Sequence, residues 1–151
     1  MKFFLVKPEV AGCLGSDTVG DRTVHPPVVE QLEYEFEDWL GDDVVSSVGV
    51  WVGTKRLQES LQAIGVTGLS FKPVHVIKAR QFNQWNPGGL KLPQFLWFDI
   101  TGKAGMDDFG RSPDHSYRVV VSQRALDVMK TFKLEFAKIE EFQAPAKHVN
   151  P

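Results

Sequence analysis

Residues 50–64, VWVGTKRLQESLQAI, and residues 118–132, RVVVSQRALDVMKTF, decide how this chain reads. Each opens on a β-branched run and reaches a hydroxyl, Thr54 or Ser122, of the kind that accepts from first-turn amides at a helix N-cap. Apolar residues at helical spacing follow: Leu57, Leu61 and Ile64, stopped by Gly65, in the first, and Ala125, Met129 and Phe132 in the second. An arginine stands two residues past each cap, Arg56 and Arg124. The two stretches predict related strand–helix–strand units. They read equally well as a degenerate internal duplication or as the common grammar of a strand feeding a short amphipathic helix.

Outward from these units, strands predominate. Residues 2–6, KFFLV, read as a strand stopped by Pro8, and residues 95–101, FLWFDIT, as another entered from Asn86-Pro87-Gly88-Gly89. Val48, Val50 and Val52 form a β-branched run. Leu69 to Ile77 is a strand whose apolar parity changes at Pro73, which predicts a bulge or an edge there. Leu134 to Phe142 reads as the last strand, and 102–110, GKAGMDDFG, as a loop. From Ala11 to Pro27 the chain is rich in Gly, Asp, Ser and Thr and ends in His25-Pro26-Pro27, so it reads as a long loop, and such loops tend to carry function.

The stretch from Leu32 to Trp39 fits two periods. As a helix it would set Glu33 against Glu37 at i,i+4 with no lysine nearby, which is unfavourable. As a strand it alternates Leu32, Tyr34 and Phe36 with Glu33, Glu35 and Glu37, and the strand is the better reading. The expectation is an α+β single domain over residues 1–151, a largely antiparallel or mixed sheet with two short helices, and a frayed tail over 143–151.

Composition narrows the class. At 151 residues and 42% hydrophobic, with eleven Phe and four Trp, the chain buries enough apolar surface to need neither disulfide nor metal staple. The single Cys13 excludes an internal disulfide framework. No apolar run reaches the length of a membrane span, and MKFFLV is too short for a signal peptide, so a cytoplasmic protein is expected.

Catalytic signatures are thin. His25, His75, His115 and His148 form no local pair of the metal-binding kind, and neither a P-loop nor a nucleophile elbow is present. His75, in an apolar strand, reads as half-buried and satisfied. Asp107-Asp108 and Asp42-Asp43 suit either a divalent cation or local capping, with turn bonding the default for the first pair and Asp42 as a helix N-cap for the second. A small hydrolase using His25 or His115 with Asp107 or Asp108 is the enzyme alternative. No cofactor is expected, and no enzyme activity.

Charge placement says more. Between Thr23 and Thr54 there is no lysine or arginine, yet Glu30, Glu33, Glu35, Glu37, Asp38, Asp42 and Asp43 all fall there. From Ser60 to Trp97 the sign inverts, with Lys72, Lys78, Arg80 and Lys91 and no acid. On a strand, Glu33, Glu35 and Glu37 would project from one face as a carboxylate row suited to a basic protein partner, with Trp39 and Trp51 as nearby apolar anchors. The alternative is that the acidic and basic stretches are sheet neighbours neutralising each other. Lys72, Lys78, Arg80 and Trp85 could instead hold a small anionic ligand, while four charges over twenty residues are too dilute for nucleic acid.

Residues 25–45, HPPVVEQLEYEFEDWLGDDVV, residues 89–110, GLKLPQFLWFDITGKAGMDDFG, and residues 118–136, RVVVSQRALDVMKTFKLEF, resemble immunity family eleven of bacterial polymorphic toxin systems. The resemblance runs from residues 3–15, FFLVKPEVAGCLG, to about Phe142. It is sharpest at His25-Pro26-Pro27, Trp39-Leu40-Gly41-Asp42-Asp43 and the Gly102-to-Gly110 loop. It implies a small cytoplasmic protein that binds and blocks a cognate toxin. The charges of this sequence then put the partner-binding surface on Glu33, Glu35, Glu37, Asp38, Trp39, Asp42 and Asp43.

Overall fold

A computed structural model describes residues 1–113 and 118–143. Strands β1 (Phe3–Lys7), β2 (Glu9–Val10), β3 (Gly12–Leu14), β4 (Val19–Asp21), β5 (Val28–Phe36), β6 (Val44–Ser47) and β7 (Val50–Thr54) precede helix α1 (Lys55–Ala63). Strands β8 (Leu69–Lys72) and β9 (Val74–Lys78) lead to α2 (Arg80–Trp85). Strands β10 (Phe95–Ile100), β11 (Phe109–Arg111) and β12 (Val119–Ser122) lead to α3 (Gln123–Lys130), and β13 (Lys138–Phe142) follows. The fold is α+β and mostly sheet. To the two expected helices it adds α2, six residues without a side-chain cap, held by the buried Phe82.

Three sheets stack around two cores. The central one runs β2-β6-β7-β10-β8. Every residue of β6 and β7 is buried, because both faces of this sheet are covered. Val44, Trp51 and Phe98 point into one core with α1, α3 and the sheet β11-β12-β1-β13. Val45, Val50, Val52, Phe95 and Trp97 point into the other, against Leu32, Tyr34 and Phe36 of β5. Trp51, expected as an interface anchor, is fully buried in the first core, edge-on to Phe109.

The alternation at Leu32–Phe36 does make a strand. β5 pairs in parallel with β9 on one side and antiparallel with β3 and β4 on the other. The supposed long loop from Ala11 to Pro27 is thus about one-third strand. Most of its polar side chains are exposed, and the half-buried Thr18 uses its hydroxyl to donate to Glu33 O and accept from Glu33 N, both at 3.0 Å. At Pro73 the expected single strand divides, β8 becoming an edge of the central sheet and β9 joining β5. A proline cannot donate to a ladder, and here it marks where the chain changes sheets. The last strand begins at Lys138 rather than Leu134. The tail from residue 144 and the segment 114–117, with His115, lie outside the described residues.

Val48, expected within a strand, sits with Gly49 in the two-residue turn joining β6 to β7. Both have positive φ, 46° and 83°. Such turns favour Asn-Gly, and the left-handed region costs a side-chain-bearing residue roughly 1–2 kcal/mol.

The two units that opened the reading are built alike. Thr54 and Ser122 accept from Leu57 N and Ala125 N at 3.4 and 3.3 Å, as N-caps should. Each hydroxyl also donates to a buried aspartate at 2.6 Å, Thr54 to Asp43 and Ser122 to Asp108. Each aspartate's own carbonyl accepts the cap residue's amide at 2.8 Å. Arg56 grips Asp43 through Nε and Nη2 at 2.5 and 3.0 Å, and Arg124 grips Asp108 at 2.9 and 2.7 Å. Each clamp also reaches the exit of the other helix. Asp43 accepts from Lys133 N, just past α3, and Asp108 from Thr67 N, just past α1.

Candidate functional site

The acidic run between Glu30 and Asp43 divides into carboxylates that hold the chain together and carboxylates that do not. Asp43 belongs to the first group. Burial pushes its carboxyl up, but bonds from Arg56, Thr54 and Lys133 N outweigh that and leave it below the usual range. Asp42, expected as a helix N-cap, is fully buried and caps a different segment. Its two oxygens accept from Glu135 N and Phe136 N at 3.0 and 2.9 Å, fixing the turn before β13. Two orphan amides, rather than a helix, claimed it.

Glu33 corrects the expectation of an outward carboxylate row. It is 3% exposed, accepts from Asp17 N at 3.2 Å, and lies 2.9 Å from His75 Nδ1. The backbone turns over it at Gly15, where an added Cβ would meet the carboxylate at 2.1 Å. His75 in turn is exposed, not half-buried, because β9 turns that face outward.

The second group is Glu35, Glu37 and Asp38, with Glu30 further along β5. Glu37 and Glu30 are exposed, Glu35 and Asp38 half-buried. Glu35 accepts only a weak bond from the Cys13 thiol at 3.7 Å. Asp38 accepts from Trp39 N and Asn86 Nδ2 at 2.8 and 3.1 Å. The basic stretch is indeed their sheet neighbour, with Glu35 opposite Ile77 and Phe36 opposite Lys78. Its cations nevertheless go elsewhere: Lys72 to Asp99 at 2.7 Å, and Lys78 to the Leu90 carbonyl at 2.8 Å. Among the described residues, Glu35, Glu37 and Asp38 have no cationic partner.

Sequence reasoning missed Glu9, which adjoins this group. One of its oxygens is buried without a partner. Burial raises its carboxyl, and the charges of Asp42 and Asp38 raise it further. The local field is therefore negative and uncompensated. Exposed apolar side chains adjoin these acids along the chain, Val10 at 57% beside Glu9 and Leu40 at 52% beside Trp39, and Phe136 is 47% exposed. Asp42 ties the Phe136 amide to the turn that carries Leu40. Lys133 borders this surface at Gly41. Trp39 is half-buried, its indole N–H donating to Asp42 O at 2.8 Å and its ring edge-on to Phe95, so it supports the surface more than it offers itself.

The alternative sites are less well assembled. Lys72 and Lys78 are engaged as described, while Arg80 and Trp85 are exposed on α2. Asp107 accepts Lys103 N at 2.7 Å, the turn bonding expected of it. Asp108 is buried in its clamp, where burial raises its carboxyl but Arg124, Ser122 and Thr67 pull it down to about 2. It has no proton to exchange near neutrality. Among the described residues no three of His, Cys, Asp and Glu gather as a metal site, and no helix is long and apolar enough to cross a membrane. Set against known proteins, the chain matches no family model and no curated sequence.

Proposed function

We propose that this chain is an immunity protein of the polymorphic-toxin kind, which binds a cognate toxin and occludes it through an acidic surface. The observation that carries the reading is that, among the described residues, Glu35, Glu37 and Asp38 stay without a cation while Lys78 of the neighbouring strand β9 and Lys72 of β8 bond elsewhere. Leaving like charges together costs stability, and the cost is offset when a basic partner supplies the missing cations. Glu9 deepens that field, and Val10, Leu40 and Phe136 offer the apolar contact on which interface energy usually rests. Glu33, Asp42 and Asp43 leave the docking set and become its scaffold. The resemblance to immunity family eleven supplies the class of partner, a bacterial toxin, and the acidic surface suits one whose active site is basic. Carboxylates set where a nucleic-acid phosphate would lie would block such a site.

The reading predicts a secreted toxin encoded beside this chain, and the test is co-production with that toxin's C-terminal domain. Growth should be restored by the wild type and lost with Glu35, Glu37 and Asp38 all changed to Lys. Rescue undiminished in that triple variant would overturn the acidic-surface reading.

A further inference from the structure

A cavity of about 230 Å³ opens where three segments meet: β3, the connection from β4 to β5, and the β6–β7 turn. Leu14, Val24, Pro27 and Val48 supply apolar wall. Cys13, Arg22, His25 and Ser47 supply the polar groups. This is the His25-Pro26-Pro27 region that the docking surface leaves unused.

Three features mark it as a built site. Ser47 is only 6% exposed, lines the cavity, and its hydroxyl bonds to no other described residue. That hydroxyl is not a buried orphan but is open to the cavity, where it can donate to a ligand. Val48 keeps a β-branched side chain at φ 46°, where glycine or asparagine would be easier, and that side chain forms the cavity wall. Arg22 places its guanidinium at the same cavity, and the one bond from Nη2 to Gly15 O at 2.5 Å leaves donors for a ligand. Glu35, the acid bonded to Cys13, does not line the cavity.

We propose that this cavity binds a compact monocarboxylate, its apolar tail against Leu14, Val24 and Val48 and its carboxylate on Arg22 with the Ser47 hydroxyl. The volume falls below the roughly 300–1,000 Å³ of drug-sized pockets, so the ligand is short. Guanidinium is the side chain whose fork matches a carboxylate.

Cys13 is the chain's one cysteine and lines the cavity, so its alkylation reports on occupancy at a single site. Burial raises its thiol, and Glu35 and Glu37 raise it further, so the reaction with N-ethylmaleimide is followed at pH 8.5. Saturating hexanoate should slow the modification at least fivefold, and hexanol should not. Val48→Gly should leave the melting temperature equal or higher yet abolish the protection, and Arg22→Gln should abolish it in a folded chain. An alkylation rate indifferent to hexanoate would overturn the proposal. So would equal protection by hexanol, or full protection retained in folded Val48→Gly.

Discussion

Asp43 and Glu37 belong to one acidic run, yet the fold gives them opposite work. Asp43 lies buried under Arg56, Thr54 and Lys133 N. Glu37 stands exposed with no side-chain partner among the described residues. The difference is one of position. Asp42 and Asp43 enter the fully buried β6, where a carboxylate survives only if every oxygen is claimed. Glu37 and Asp38 follow the end of β5, where the chain leaves the sheet and water can solvate them. A run of like charges in sequence is therefore not one surface in space. Its members sort by which of them the backbone carries inward.

The comparison breaks most readily at the clamps. Asp43→Ala and Asp108→Ala should each cost about 3 kcal/mol in chemical denaturation, because each removes the ion pair with arginine and leaves a cap hydroxyl and a backbone amide unsatisfied. Asp108→Ala should cost the more, since Arg124 also holds the Ile64 and Gly65 carbonyls at the end of α1. Losses under 1 kcal/mol would show that the clamps are ornamental. Both carboxyls sit below their unfolded values, so their stabilisation is present above about pH 4. It disappears as pH falls through the folded values, near 2 for Asp108. Acid unfolding of the wild type should steepen below about pH 4, and less so in Asp108→Asn.

A smaller effect is expected at Asp42. Asp42→Ala orphans the amides of Glu135 and Phe136 and should cost about 2 kcal/mol, with faster hydrogen exchange at those two positions. Unchanged exchange there would mean that the turn before β13 does not depend on Asp42.

The smallest effect has the opposite sign. Glu9 has a raised carboxyl, so the folded chain resists its ionisation and loses stability as pH rises through the carboxylate range. Glu9→Gln should stabilise the protein by about 0.5 kcal/mol at pH 7 and by nothing at pH 3.5, as read by paired thermal melts. Destabilisation at pH 7 would contradict the uncompensated field assigned to that end.

Much of the architecture could be read from side-chain period alone. Leu32–Phe36 alternates, and the two strand–helix units carry their caps and stripes in plain view. What could not be read depends on partners far along the chain. β3 and β4 look like loop because each is three residues long with a glycine in it, too short to show a period, and their pairing with β5 uses backbone groups. Helix α2 is too short to show a stripe. The clamps left a trace: an Asp-Asp pair precedes each cap, Asp42-Asp43 before Thr54 and Asp107-Asp108 before Ser122, with arginine two residues beyond. Read together, those letters would have moved Asp43 from the candidate interface to the core. The burial of Glu33 left none, because it depends on Gly15 and His75, which lie in other segments.

The division of the acidic run is tested most directly by the association rate with the toxin domain at low ionic strength. The triple change of Glu35, Glu37 and Asp38 to Lys should slow association at least tenfold and flatten its salt dependence, while the melting temperature stays within a few degrees of the wild type. An association rate equal to the wild type's in that folded variant would contradict the account.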